Sequence, residues 1–162
     1  MLDESRDPIV IASVIQALGH AWNEEACLSV LRFARHPDEQ VRLEVARSAP
    51  GGLETDAAAE AVAHVLIELA KDPVDEVRDW ATFGLGSILD IDSTQIRDAL
   101  ADRLDDTHVD TSCEALVGLA RVRMRERLNG HWSFFNPSRY HGLQSTPHTL
   151  LAILDCCQPY GI

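Results

Sequence analysis

Side chains that often carry chemistry are present in this chain, but their spacing does not match catalysis or metal binding. No Gly-x-Ser-x-Gly elbow or glycine-rich phosphate loop frames the serines, and no His-Glu dipeptide offers paired ligands for a di-iron centre. His141, His148, Cys156 and Cys157 are soft metal ligands, yet the Cys-x2-Cys spacing of zinc sites is absent. We therefore expect no catalytic residue, no metal and no cofactor.

The strongest chemical signal is the excess of carboxylates. The chain has 26 Asp and Glu against 14 Lys and Arg, which gives a formal net charge of -12. Nucleic-acid binding needs a basic stripe to meet phosphates, so this class of function is excluded. A negative field speeds the encounter with a positively charged partner, which favours a basic protein as the ligand.

One apolar pattern recurs along the chain and indicates what positions these acids. Its four copies are Val10, Val14 and Leu18; Val41, Val45 and Ala49; Val77, Ala81 and Leu85; and Val109, Cys113 and Val117. A spacing of four residues places each set on one face of a helix. Successive copies start 31, 36 and 32 residues apart. This recurrence predicts a helical repeat array in which Val10, Val41, Val77 and Val109 occupy equivalent buried positions.

Each repeat is predicted to contain two helices. The first helices run over about 8–19, 38–49, 74–89 and 107–121, and the second helices over about 23–35, 56–71 and 93–104. Loops with Asp and Pro, such as Asp7-Pro8 and Asp72-Pro73, favour helix starts, because Asp caps the first turn and Pro fits within it. Ser93 is the predicted cap of the helix that follows it.

Three blocks carry a family resemblance: Asp38 to Arg42, Asp75 to Gly86, and Glu114 to Ala120. They resemble the short bacterial HEAT repeats, also called PBS-lyase HEAT-like repeats, over residues about 7 to 122. The resemblance implies an all-α fold, an α-α superhelix of about four helix pairs. It also implies a protein-interaction or scaffold role, because adaptors dominate the family.

By the same resemblance, Arg42 and Arg78 match the arginine that pairs with an acid of the neighbouring repeat. The candidate acids are Asp38 and Asp75, which match the acidic turn of the family, and Asp79. Ile11 and Asp110 replace this arginine in the outer repeats, so the expected ladder of ion pairs is confined to the middle of the array.

The hypothesis that follows is a noncatalytic module that binds a basic protein. Its inner surface is expected to be built from the second helices, and the candidate contact residues are Glu24, Glu25, Glu60, Glu68, Phe83, Asp98 and Asp102. One specialised version is an inhibitor or immunity protein that blocks a basic toxin. The alternative, by resemblance to the phycobilin lyases, is an enzyme that handles a chromophore in a pocket of the array.

The last part of the chain differs from the repeats. We divide the chain into an array at 1–130 and an atypical segment at 131–162, which is rich in aromatic residues and loses the repeat register. A cap on the open end of the array is the first interpretation, and a partly disordered tail is the second. The N-terminus lacks the pattern of a signal peptide, and no apolar run approaches ~20 residues, so we expect a cytoplasmic protein without membrane contact.

Overall fold

The computed structural model describes residues 7–128, and it describes side chains as far as residue 122. This part of the chain folds into α1 (Pro8–Gly19), α2 (Glu24–Val30), α3 (Glu39–Ser48), α4 (Asp56–Leu69), α5 (Asp75–Phe83), α6 (Thr94–Ala101) and α7 (Val109–Leu128). A 3-10 turn at Leu31–Phe33 follows α2, and a π-helical turn at Gly84–Ile88 follows α5. The described residues contain no strand, so the predicted all-α class is confirmed. The predicted segment at 131–162 lies outside the described residues.

Polar residues in front of the helices explain where the helices begin. The Asp7 carboxylate accepts a hydrogen bond from the backbone N–H of Ile9 at 3.0 Å, and Pro8 occupies the first turn of α1. The predicted cap Ser93 accepts from the N–H of Ile96 at 3.2 Å. Each bond satisfies an N–H group that the first turn of a helix leaves unpaired. The caps of α2, α3 and α4 are Asn23, Asp38 and Thr55.

The helices form two layers. α1, α3, α5 and α7 pack side by side as the first-helix layer, and α2, α4 and α6 form the second-helix layer. Neighbouring helices approach more closely in the first-helix layer than in the second-helix layer. The predicted inner surface built from the second helices stays a prediction.

The register of the two outer first helices differs from the prediction. Val10 and Val109 are 46% and 54% exposed, so they do not belong to the core. The start of α1 is apolar on several faces, so each of them could be the buried face. The spacing alone therefore predicted the wrong one. In α7 the corresponding buried residue is Thr111, which is polar. Its burial is tolerated because its hydroxyl lies 3.1 Å from Nδ1 of His108, within hydrogen-bond distance. The equivalent buried positions are Ile11, Val41, Val77 and Thr111.

Two glycines set the distance between α5 and α7. A Cβ atom on Gly86 would lie 2.8 Å from Cα of Gly118, and a Cβ atom on Gly118 would lie 2.6 Å from Cα of Gly86. Real Cβ atoms do not approach backbone atoms this closely, so both positions require glycine. Gly86 lies within the π-helical turn, in which the N–H of Leu89 donates to the carbonyl of Gly84 at 3.0 Å. This turn therefore meets α7 directly through its backbone.

We predict that Gly86→Ala destabilises the protein by about 1–3 kcal/mol, because the new methyl group forces two packed backbones apart. Urea denaturation measures the change as a lower midpoint. Gly51→Ala is the matched control, since its Cβ would have no neighbour closer than 3.8 Å. Equal stability of the two variants would show that α5 and α7 separate without cost, contrary to this packing.

Candidate protein-binding surface

Two arginines join successive repeats. Arg42 donates from Nε to Oδ2 of Asp72 at 2.7 Å and from Nη2 to Oδ1 at 3.0 Å. Arg78 makes the same two-point contact with Asp106, with both distances 2.9 Å. Arg78 also donates to the backbone carbonyl of Asp72 at 2.9 Å, which connects the two pairs. The result is a continuous ladder from α3 through α5 to the turn before α7.

The acids of this ladder are not those proposed from the sequence. Asp38 caps α3, and Asp75 contacts Arg78 at 2.7 Å within its own helix. Asp79 takes no part in the described ion pairs. The acids that cross the repeat boundary, Asp72 and Asp106, lie one turn before the start of the next helix, where each carboxylate also accepts a backbone N–H bond. The two acids reach the arginines because the second helix of each repeat returns the chain to the first-helix layer.

The Arg78–Asp106 pair is buried, with side chains 10% and 4% exposed. The hydrogen bond from Arg78 is the main reason why the pKa of Asp106 lies below its ordinary value. A carboxyl group with a lowered pKa stabilises the fold above its unfolded pKa, and this contribution is lost as the pH falls through the folded pKa.

We predict that Arg78→Met lowers the free energy of unfolding by about 3 kcal/mol at neutral pH, because it leaves Asp106 buried without its main partner. This loss of unfolding free energy is at the low end of the range for a broken buried ion pair, because Arg103 remains 3.2 Å from Asp106. Acid removes the difference between variant and wild type below the ordinary aspartate pKa of about 3.9, which urea denaturation across pH measures.

Arg35→Met is the control for this variant. Arg35 contacts Glu68 at 2.8 Å, but the two side chains are 82% and 54% exposed. Such a surface pair contributes about 0–1 kcal/mol. If Arg35→Met and Arg78→Met cost the same, the ladder is not a special stabilising feature.

The acids proposed for partner binding on the second helices have different surroundings. Glu24 accepts from the N–H groups of Glu54 and Thr55 at 2.9 and 2.8 Å, and the bond from Glu54 is the largest cause that lowers the pKa of Glu24. Glu68 is paired with Arg35. These two acids serve contacts between repeats. The remaining four are exposed on the second-helix layer: Glu25, Glu60, Asp98 and Asp102.

An aromatic pair lies on the first-helix layer. The rings of Trp80 and Phe83, both half-buried on α5, meet edge to face with centroids 5.7 Å apart. The guanidinium group of Arg47 on α3 lies over the Trp80 ring at 4.5 Å and contacts Glu44 at 3.3 Å. Phe83, singled out from the sequence because it falls off the core stripe, is therefore part of a wider surface that includes Trp80.

Two carboxylates, Asp79 next to Trp80 in α5 and Glu114 in α7, make no ion pair with an arginine or lysine of the described residues. Oδ1 of Asp79 is buried and accepts no hydrogen bond from the described residues. Burial, and then repulsion from Asp110, raise the pKa of Asp79 against the attraction of His108. Burial, and then the charge of Asp79, raise the pKa of Glu114 on the neighbouring helix. We name the surface formed by Trp80, Phe83, Asp79 and Glu114 the α5–α7 face.

Glu114 was not identified from the sequence as a binding residue. The sequence signal that could have identified it is the repeat register that aligns Asp106 with Asp72. In this register Thr111 is equivalent to Val77, and Glu114 is equivalent to Trp80.

We predict that Asp79→Asn raises the melting temperature at pH 7. The raised pKa means that the folded protein holds this proton more tightly than the unfolded chain, so wild-type stability falls as the pH rises through the folded pKa. The amide removes that loss, and the advantage of the variant shrinks towards acidic pH. Thermal denaturation at several pH values measures it, with the exposed Asp98→Asn on α6 as the control. A lower melting temperature for Asp79→Asn would contradict an unpaired carboxylate at this position.

The fold agrees with the comparisons to known proteins. The family of HEAT repeats matches residues 1–86, and the chain belongs to this family. A segment of 56 residues is 39% identical to protein YibA of Escherichia coli strain K12, and the same match is found for protein YibA of Escherichia coli O157:H7. The match covers 35% of this chain and 20% of the relative's length. No solved structure matches the chain.

None of the described helices has the length and hydropathy needed to cross a membrane. Between residues 7 and 128, no three His, Cys, Asp or Glu side chains converge in a way that would hold a metal ion. The candidate ligands His141, His148, Cys156 and Cys157 lie outside this part of the chain.

Proposed function

We propose that this protein is a noncatalytic, cytoplasmic interaction module that binds a basic segment of another protein on the α5–α7 face. HEAT repeats commonly serve as protein-interaction modules, and the net charge of -12 favours a positively charged partner. The single observation that carries the proposal is that Asp79, whose buried Oδ1 accepts no hydrogen bond from the described residues, directly precedes the Trp80 of the aromatic pair on α5.

The aromatic residues supply the binding energy in this proposal. Trp and Tyr are enriched at the centres of interfaces because large rings bury much area and lose little conformational freedom, and Phe83 provides a comparable apolar surface. Trp80 packs partly against the core, which holds its ring in one orientation before a partner arrives. A preorganised surface loses less entropy on binding.

The carboxylates supply the selectivity. Burial and the repulsion of neighbouring acids disfavour the charged forms of Asp79 and Glu114. A cation supplied by the partner would therefore stabilise both charged carboxylates. The exposed acids of the second-helix layer add to the long-range field, whereas Glu24 and Glu68 are already engaged in contacts between repeats. The α5–α7 face is therefore a better candidate for the contact itself than the second helices are.

A random peptide library displayed on phage tests this function. Peptides selected on the full-length chain are expected to carry a net positive charge and to lose at least about tenfold in affinity on Phe83→Ala, as truncation of an anchor residue does. Fluorescence anisotropy with the selected peptides measures the affinity, and circular dichroism checks that the variant is folded.

Trp22→Ala is the matched control. Trp22 is 71% exposed in the turn between α1 and α2 and is not part of the α5–α7 face, so its removal deletes an exposed aromatic ring elsewhere. Its variant should bind the selected peptides within about twofold of wild type, because additive contacts at distant sites do not couple. Selected peptides without positive charge, or a loss caused by Trp22→Ala instead of Phe83→Ala, would overturn the proposal.

A further inference from the structure

We infer that the partner contributes an arginine side chain whose guanidinium group bridges Asp79 of α5 and Glu114 of α7. This inference rests on the proposed function and names the chemistry that the α5–α7 face recognises. It commits to arginine within a protein segment as the occupant.

The packing of the two helices brings the two carboxylates together. The contact between Gly86 and Gly118 holds α5 and α7 at backbone distance. At this spacing the charge of Asp79 reaches Glu114 and contributes, after burial, to raising the pKa of Glu114. Asp79 keeps part of its surface exposed although Oδ1 is buried, so the carboxylate can be approached from outside.

The surrounding charges also favour a cation. The groups that face Asp79 from α5, α7 and the turn between α6 and α7 are Glu76, Asp106, His108, Asp110 and Glu114. Four of these five are acids, and Asp106 alone has arginine partners among the described residues. Ser87 offers Glu114 only a long hydroxyl contact, at 3.5 Å. A guanidinium group placed here would neutralise charge that the fold leaves uncompensated.

The protein itself shows why arginine suits this position. Arg78 uses one guanidinium group to contact two acids at once, Asp75 on its own helix and Asp106 at the next repeat. Arg47 shows that a guanidinium group packs on the face of Trp80. Both uses depend on the planar fork of N–H donors, which the ammonium group of lysine lacks. One arginine from a partner would make both kinds of contact: its charge would lie between the two carboxylates, and the plane of its guanidinium group would lie beside Phe83.

The test uses short peptides that alternate glycine with arginine, with lysine or with citrulline, which keeps the shape of arginine without its charge. The protein is the full-length chain with Trp22→Phe and Trp132→Phe, which leaves Trp80 as the single tryptophan. Its fluorescence then reports binding at the α5–α7 face. We expect the arginine peptide to bind about tenfold more tightly than the lysine peptide, and the citrulline peptide not to bind.

The double variant Asp79→Asn with Glu114→Gln should weaken binding of the arginine peptide by about tenfold and abolish its preference over lysine. The control is Glu25→Gln with Glu60→Gln, which removes the same charge from exposed positions of α2 and α4. It should change the affinity by no more than about twofold, since long-range fields between exposed charges are screened by salt.

The outcomes separate this inference from the proposed function. Binding that depends on Phe83 but does not distinguish arginine from lysine, or that is unchanged in the Asp79 and Glu114 variant, overturns the arginine bridge and leaves the protein-binding face in place. Equal losses in both double variants mean that only net charge matters, which also overturns the bridge. If neither the peptides nor the phage-selected sequences change the Trp80 signal, the proposed function fails as well.

Discussion

Close stacking of the first helices is the constraint on which the rest of this structure depends. It is possible only where small residues let backbones approach, and the contact of Gly86 with Gly118 is the extreme case. The first helices lie closer together than the second helices. Side chains on neighbouring first helices therefore interact across this contact, as the charge of Asp79 does when it raises the pKa of Glu114.

The arginine ladder depends on the same spacing. Each guanidinium group spans from one first helix to the turn that begins the next, and its two-point contact tolerates little change in distance. Asp72 and Asp106 also accept backbone N–H bonds within their turns, so each acid orders its own loop and fastens it to the preceding repeat. The ladder thus fixes the position of one repeat relative to the next and keeps α5 and α7 in register.

The acid Asp79 lies next to the arginine ladder but does not take part in its ion pairs. Arg78 and Asp106 neutralise each other, whereas one residue further along α5 Asp79 has a buried oxygen to which no described residue donates a hydrogen bond. Local departures from polar satisfaction reduce stability and are found preferentially at functional sites. The contrast between two neighbouring acids on one helix, rather than the acidity of the whole chain, is what directs attention to the α5–α7 face.

The sequence by itself determined the class of fold, the approximate positions of the helices and the caps Asp7 and Ser93, because apolar spacing and capping chemistry act within a few residues. It also identified Arg42, Arg78 and Phe83 as residues to follow. Tertiary structure alone decided which acids meet the arginines, which residue of α1 or α7 is buried, and that the charge of Asp79 reaches Glu114. These outcomes depend on how one helix is rotated and spaced against another, and residues about 30 positions apart in the chain carry no local signal of that geometry.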